Sequence, residues 1–239
     1  MTYRKYHVRF IVLALGLCSA LASAVPARFL AWDDGVSSRK IAVAWGKDAV
    51  EIANMHPSQR TDKIDVPAEA ESLRIVALDR KDEEGEFLSV PLKFTNGMKN
   101  PLVLLLPDKK APTGLRLVAL EDDVANFRWG TIHLINATGQ ELYFIHEKKP
   151  TKLGANWSPV VVAPGGASRN IGVAVFLPDK RDRPIYSAVW QHREELRQLV
   201  FMVPSDDQSR GPVDFKFITE NRLAIEAKQA EAQKAQEGE

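Results

Sequence analysis

The chain has 239 residues, of which 45% are hydrophobic, 26% charged and 8% aromatic, with 14 Gly, 14 Pro and one Cys. That balance excludes a collagen-like repeat, a disulfide scaffold and a disordered polyelectrolyte, and the length suffices for one large domain or two ordinary ones. The formal charge is +1; without Arg4, Lys5 and Arg9 the 32 Lys+Arg fall to 29 against 31 Asp+Glu, so no basic excess points to nucleic acid or anionic lipid.

Residues 1–24 read as a secretory signal peptide. Arg4, Lys5 and Arg9 form a positive region, Phe10 to Leu17 an apolar stretch, and Ala22-Ser23-Ala24 the small-residue cleavage pattern. The apolar run is too short for a membrane-spanning helix, which takes about 20 residues. The one cysteine, Cys18, lies in this segment, and Leu17 before it is too large for lipoprotein processing. A mature chain starting near Val25 therefore has no thiol for catalysis, disulfide exchange or metal binding. The expected destination is the periplasm or the medium, with no membrane span after cleavage.

From Val25 to about Asn221 the periodicity predicts short strands separated by Gly, Pro, Asn and Asp clusters. They include Phe29–Trp32, Ile41–Trp45, Ala49–Ile52, Leu73–Leu78, Phe87–Phe94, Leu102–Leu106, Leu115–Leu120, Thr131–Ala137 and Leu142–His146. Val160–Val162, Ile171–Leu177, Ile185–Trp190, Leu199–Val203 and Val213–Ile218 follow. With no helical stretches between them, an antiparallel sandwich or barrel is expected. One pattern occurs twice at an offset of 97: Val66-Pro67 with Ala163-Pro164, Leu73–Leu78 with Asn170–Val175, Leu102–Pro107 with Leu199–Pro204, and Gly114 with Gly211. The repeat predicts an all-β chain of two tandem immunoglobulin-like antiparallel β-sandwich domains, 25–111 and 112–220, with the strand at 115–120 able to close the first sheet or open the second. Residues 221–239, rich in helix formers with Asn221 as a suitable N-cap, predict a helical or disordered tail with a thin apolar stripe at Leu223, Ala227 and Ala230.

Glu121-Asp122-Asp123, Phe127, Gly130, Thr131–Ile135, Asn136-Ala137-Thr138-Gly139, Ala163-Pro164-Gly165-Gly166, Tyr186-Ser187 and Leu199-Val200-Phe201 together resemble a run found in uncharacterised bacterial exported proteins. The resemblance covers most of the second unit. Its motifs are turns and strand ends, so it implies a fold and no activity.

No catalytic pattern emerges. There is no G-x-S-x-G elbow, phosphate loop or dinucleotide fingerprint, and Ser168 sits at the start of a strand. His56, His133, His146 and His192 are scattered singly, and no metal or cofactor is expected. Asp33-Asp34 and Asp122-Asp123 read as turn-capping carboxylates rather than calcium ligands. Asn136 and Asn156 head N-x-S/T patterns. Trp32, Trp45, Trp129 and Trp190 lie on or beside strands, whereas Trp157 stands between Asn156 and Ser158, near Lys152, in a segment the second unit has gained. The expectation is a non-catalytic exported interaction or structural module that binds an unknown envelope or extracellular protein. The alternative is a carbohydrate-binding protein using Trp157, Asn156, Ser158 and Lys152 as an exposed loop.

Overall fold

The computed structural model describes residues 24–67, 72–95, 97–207, 209 and 211–237. The proposed signal peptide lies outside them, except for Ala24, which begins the first strand. The first unit contains β1 (Ala24–Ala31), β2 (Ile41–Trp45), β3 (Asp48–Glu51), β4 (Ile64–Pro67), β5 (Arg74–Lys81), β6 (Phe87–Pro91), β7 (Pro101–Pro107) and β8 (Leu115–Glu121), with a one-turn helix α1 (Asp34–Ser37) after β1. The second contains β9 (Ile132–Asn136), β10 (Leu142–His146), β11 (Lys149–Leu153), β12 (Val160–Val162), β13 (Arg169–Phe176), β14 (Tyr186–His192), β15 (Leu196–Pro204) and β16 (Val213–Asn221), followed by α2 (Arg222–Glu237).

The duplication is topological. The first unit pairs its strands in the orders β4-β1-β7-β8 and β3-β2-β5-β6, and the second in the orders β12-β9-β15-β16 and β11-β10-β13-β14. Pairing is antiparallel except that β1 runs parallel to β7 and β9 parallel to β15. The strand at 115–120 pairs with β7 and so completes the first unit, not the second. The two acidic pairs are also not equivalent: Asp33 follows β1, whose counterpart β9 ends at Asn136, whereas Asp122 follows β8. The offset of 97 holds for β7 and β15. In β5 with the residue before it, and in β13, the inward residues are Leu73, Ile75, Ala77 and Ile171, Val173, Val175, so the equivalent offset is even, because a one-residue slip in a strand reverses its faces.

Each unit is a sandwich with its own core. Phe29, Val43, Ile75, Val103 and Leu105 fill the first; Leu134, Phe144, Val173, Val200 and Met202 fill the second. A third core joins them: Leu30, Leu102, Leu104, Leu106 and Leu120 pack against Phe127, Ile135, Leu199, Phe201 and Ile218. The order is thus four sheets in layers, with β1, β7, β9 and β15 in the two inner sheets. These strands are buried on both faces, which is why Leu102–Leu106 and Leu199–Met202 are unbroken apolar runs rather than alternating ones.

Candidate functional site

The parallel registers make Arg28 and His133 counterparts: Arg28 lies opposite Leu102 on β7, and His133 opposite Leu199 on β15. Both face the third core's side of their sheets, one residue before the core-lining Phe29 and Leu134. Asp122 and Glu220 are likewise related, each standing just past or at the end of the last strand of its unit. What differs is how each side of the inter-unit seam is closed.

Around Arg28 the seam is closed by charge. Arg60 holds Asp122 through two bonds, Nε to Oδ2 at 2.8 Å and Nη2 to Oδ1 at 3.0 Å. Arg28 donates to Glu220 at 2.9 Å and also to Asp122. Arg197 donates from Nε to Glu220 at 2.6 Å and from Nη1 to the Asp122 carbonyl at 3.0 Å, with its guanidinium carbon 5.0 Å from the Phe127 ring centre. The side chains of Asp122, Arg60 and Arg197 are each only 2% exposed. Three guanidinium groups thus share two carboxylates. Burial pulls the Arg197 pKa down from its ordinary value, opposed by Asp122 and Glu220. Since Arg60 reaches from the first unit and Arg197 from the second to the same two acids, the cluster clamps the units together.

Around His133 the seam stays open. The imidazole is stacked on Phe127 at 3.7 Å and 18° and is 6% exposed, and its Nε2 has no hydrogen-bond partner among the described residues. Burial lowers its pKa to about 4, despite the opposing field of Asp122, so the ring is neutral at pH 7. Beside it lies a cleft of about 580 Å³, whose walls include Met98, Ala119, Leu120, Asn126, Pro159 and Val161. Val161 is the antiparallel partner of His133 and is 52% exposed. The Glu121 carboxylate on the wall already accepts from the backbone amides of Lys99, Asn100, Asp122 and Asp123.

The four residues of the loop expected to bind a ligand are held in separate local contacts. Trp157 is half-buried with φ of 61°, its ring centre 5.8 Å from Trp32 and 6.2 Å from Phe201, and the Arg116 guanidinium 4.8 Å away, so it extends the third core. Lys152 sits on β11, paired with Glu141 at 2.7 Å, which raises its pKa. Asn156 accepts from the Ser158 amide at 3.3 Å, a local turn. The part of the gained segment from Lys149 to Leu153 is a paired strand, as β3 is in the first unit.

Of the acidic residues, Asp33 caps α1 by accepting from the Val36 amide at 2.9 Å, and Asp123 accepts from the Ala125 amide at 3.1 Å, as turn chemistry predicts. Asp122 departs from that reading and is a buried ion partner. Asn136 is 1% exposed, and its amide is committed to the Gln140 and Leu153 carbonyls at 2.7 and 3.2 Å, so it belongs to a turn and not to the surface. His146 is buried with its pKa lowered by burial and Lys149; His192 lies 3.3 Å from the Gly166 carbonyl, and His56 accepts from the Ser58 amide at 3.0 Å. Among the described residues no group of three or more His, Cys, Asp or Glu could hold a metal, and no helix is long and apolar enough to cross a membrane. No family model matches the chain, and no curated protein is significantly similar to it.

Proposed function

We propose that the chain is a non-catalytic exported interaction module that binds a protein partner in the cell envelope or outside the cell. The observation that carries this reading is the third core. Two sandwiches joined by Leu104, Phe201, Ile135 and their neighbours hold the sheet edges of both units at one spacing. A partner spanning both edges then meets a pre-organised surface and loses less conformational freedom on binding than it would against two hinged domains. The residues most able to do chemistry are in use as structure: the carboxylates and guanidiniums of the seam are bound to one another, and Trp157 packs inward.

The test is in-cell crosslinking with the tagged mature chain, comparing the intact protein, Phe201→Asp, which opens the third core, and a truncation after Asn221. The reading expects a defined protein adduct that Phe201→Asp loses. Enrichment of glycan in place of protein would favour the carbohydrate-binding alternative, and retention of the adduct by Phe201→Asp would show that the fused arrangement is not what the partner recognises.

A further inference from the structure

We propose that the cleft beside His133 is a receptor groove for an extended, uncharged segment of a protein partner, which adds as a strand to the free edge of β12 and buries one apolar side chain against Val161, Leu120 and His133; this rests on the protein-binding reading above. β12 is the terminal strand of its sheet, so among the described residues its outer backbone groups face no neighbouring strand. Such an edge is a template for strand addition, with the backbone supplying affinity and a side-chain pocket supplying specificity. The groove is continuous with an interface that is closed elsewhere. On the same face of the same sheet Ile135 and Phe201 are covered by Leu30 and Leu104 of the first unit, whereas Val161 is left 52% exposed. The difference follows from the counterparts: Arg28 spans the seam to Glu220 and Asp122, whereas His133 is shorter and its Nε2 makes no hydrogen bond among the described residues.

Two properties define the occupant. A volume of about 580 Å³ accepts a large apolar side chain together with the backbone that carries it. The wall is mostly apolar, with Met98, Ala119, Leu120, Pro159 and Val161, and the Glu121 carboxylate on it is already held by four backbone amides. A neutral strand with one apolar anchor meets both.

The probe is a fluorescein-labelled heptapeptide alternating Thr and Val around a central Phe, titrated against the mature chain by fluorescence anisotropy. Saturable binding is expected, weakened by about tenfold or more by Val161→Arg, by Asp in place of the central Phe, and by N-methylation of alternate peptide amides. Binding should also move the His133 ring resonances. The unfolding midpoint of Val161→Arg, measured in parallel, should match that of the parent, since this side chain is half exposed. Equal binding by the N-methylated peptide, equal binding by Val161→Arg, or no binding at about 1 mM peptide would overturn the groove assignment. A crosslinked partner that Val161→Arg still captures would remove the groove while leaving the protein-binding reading intact; absence of any protein adduct would remove both.

Discussion

Replacing Asp122 by Asn tests the seam most sharply, because it keeps the shape of the side chain and removes the charge. Asp122 is 2% exposed, takes both bonds of Arg60 and also meets Arg28, and lies 3.6 Å from Arg197. The variant leaves three guanidiniums with Glu220 as their remaining acid, two of them on side chains only 2% exposed. Removing one partner of a buried ion pair leaves an uncompensated charge out of water, which costs about 3–5 kcal/mol against about 0–1 kcal/mol for an exposed pair. Against a total stability of about 5–15 kcal/mol the loss is large. Urea unfolding at pH 7, followed by tryptophan fluorescence, reads it as a lower midpoint with an unchanged slope, and raising the salt should restore little of it. A loss below about 1 kcal/mol would show that the cluster is an ordinary surface network and that the clamp is misassigned.

Three further outcomes follow from named contacts. His133 is held neutral, with a folded pKa of about 4 against 6.5 when free, so the unfolded chain binds more protons between those values; its contribution is complete above about pH 6.5 and is lost as the pH falls toward 4, by about 3 kcal/mol in all. Urea midpoints across pH 4–7 should therefore flatten in His133→Gln relative to the parent, and parallel profiles would refute the assignment. Trp157→Ala should lower stability by about 2 kcal/mol in thermal or urea unfolding, less than for a fully buried tryptophan because the ring is only partly covered; an unchanged midpoint would return the ring to the surface. Gly172→Thr should raise stability by about 0.5–1 kcal/mol by the same measurement, since its Cβ would meet nothing within 4 Å on the outer face of β13 and a β-branched residue suits a strand; a loss would mean that the outer face is covered.

Much of the architecture is legible in local pattern. Alternation in Arg169–Phe176 and turn signals such as Asn136–Gly139 locate strands and hairpins, and Asn221 does cap α2, accepting from the Leu223 amide at 2.9 Å. What pattern misses is what lies between the units. An unbroken run such as Leu102–Leu106 states that both faces are buried and not by what, so the third core, and with it the inward turn of Trp157, depends on contacts far apart in the chain. Arg60 and Asp122 are 62 residues apart, and Arg28 and Glu220 are 192 apart, with nothing in either neighbourhood to announce the pair. One clue was available: Arg197 stands just before the apolar run Leu199–Met202, where a charge needs a buried counter-ion. The His133 cleft has no such signature, since it arises from the shorter of two equivalent side chains.

The central claim is that the third core makes the two sandwiches one body, and a distance between labels on opposite outer sheets tests it directly. Glu51 on β3 and Gln191 on β14 are exposed, and in the chain carrying Cys18→Ser no other thiol competes for a spin label at Glu51→Cys and Gln191→Cys. Pulsed electron resonance should return one narrow distance distribution that broadens when Phe201→Asp is added. A distribution already broad or divided in the parent chain would mean that the units move independently and that the seam does not hold them.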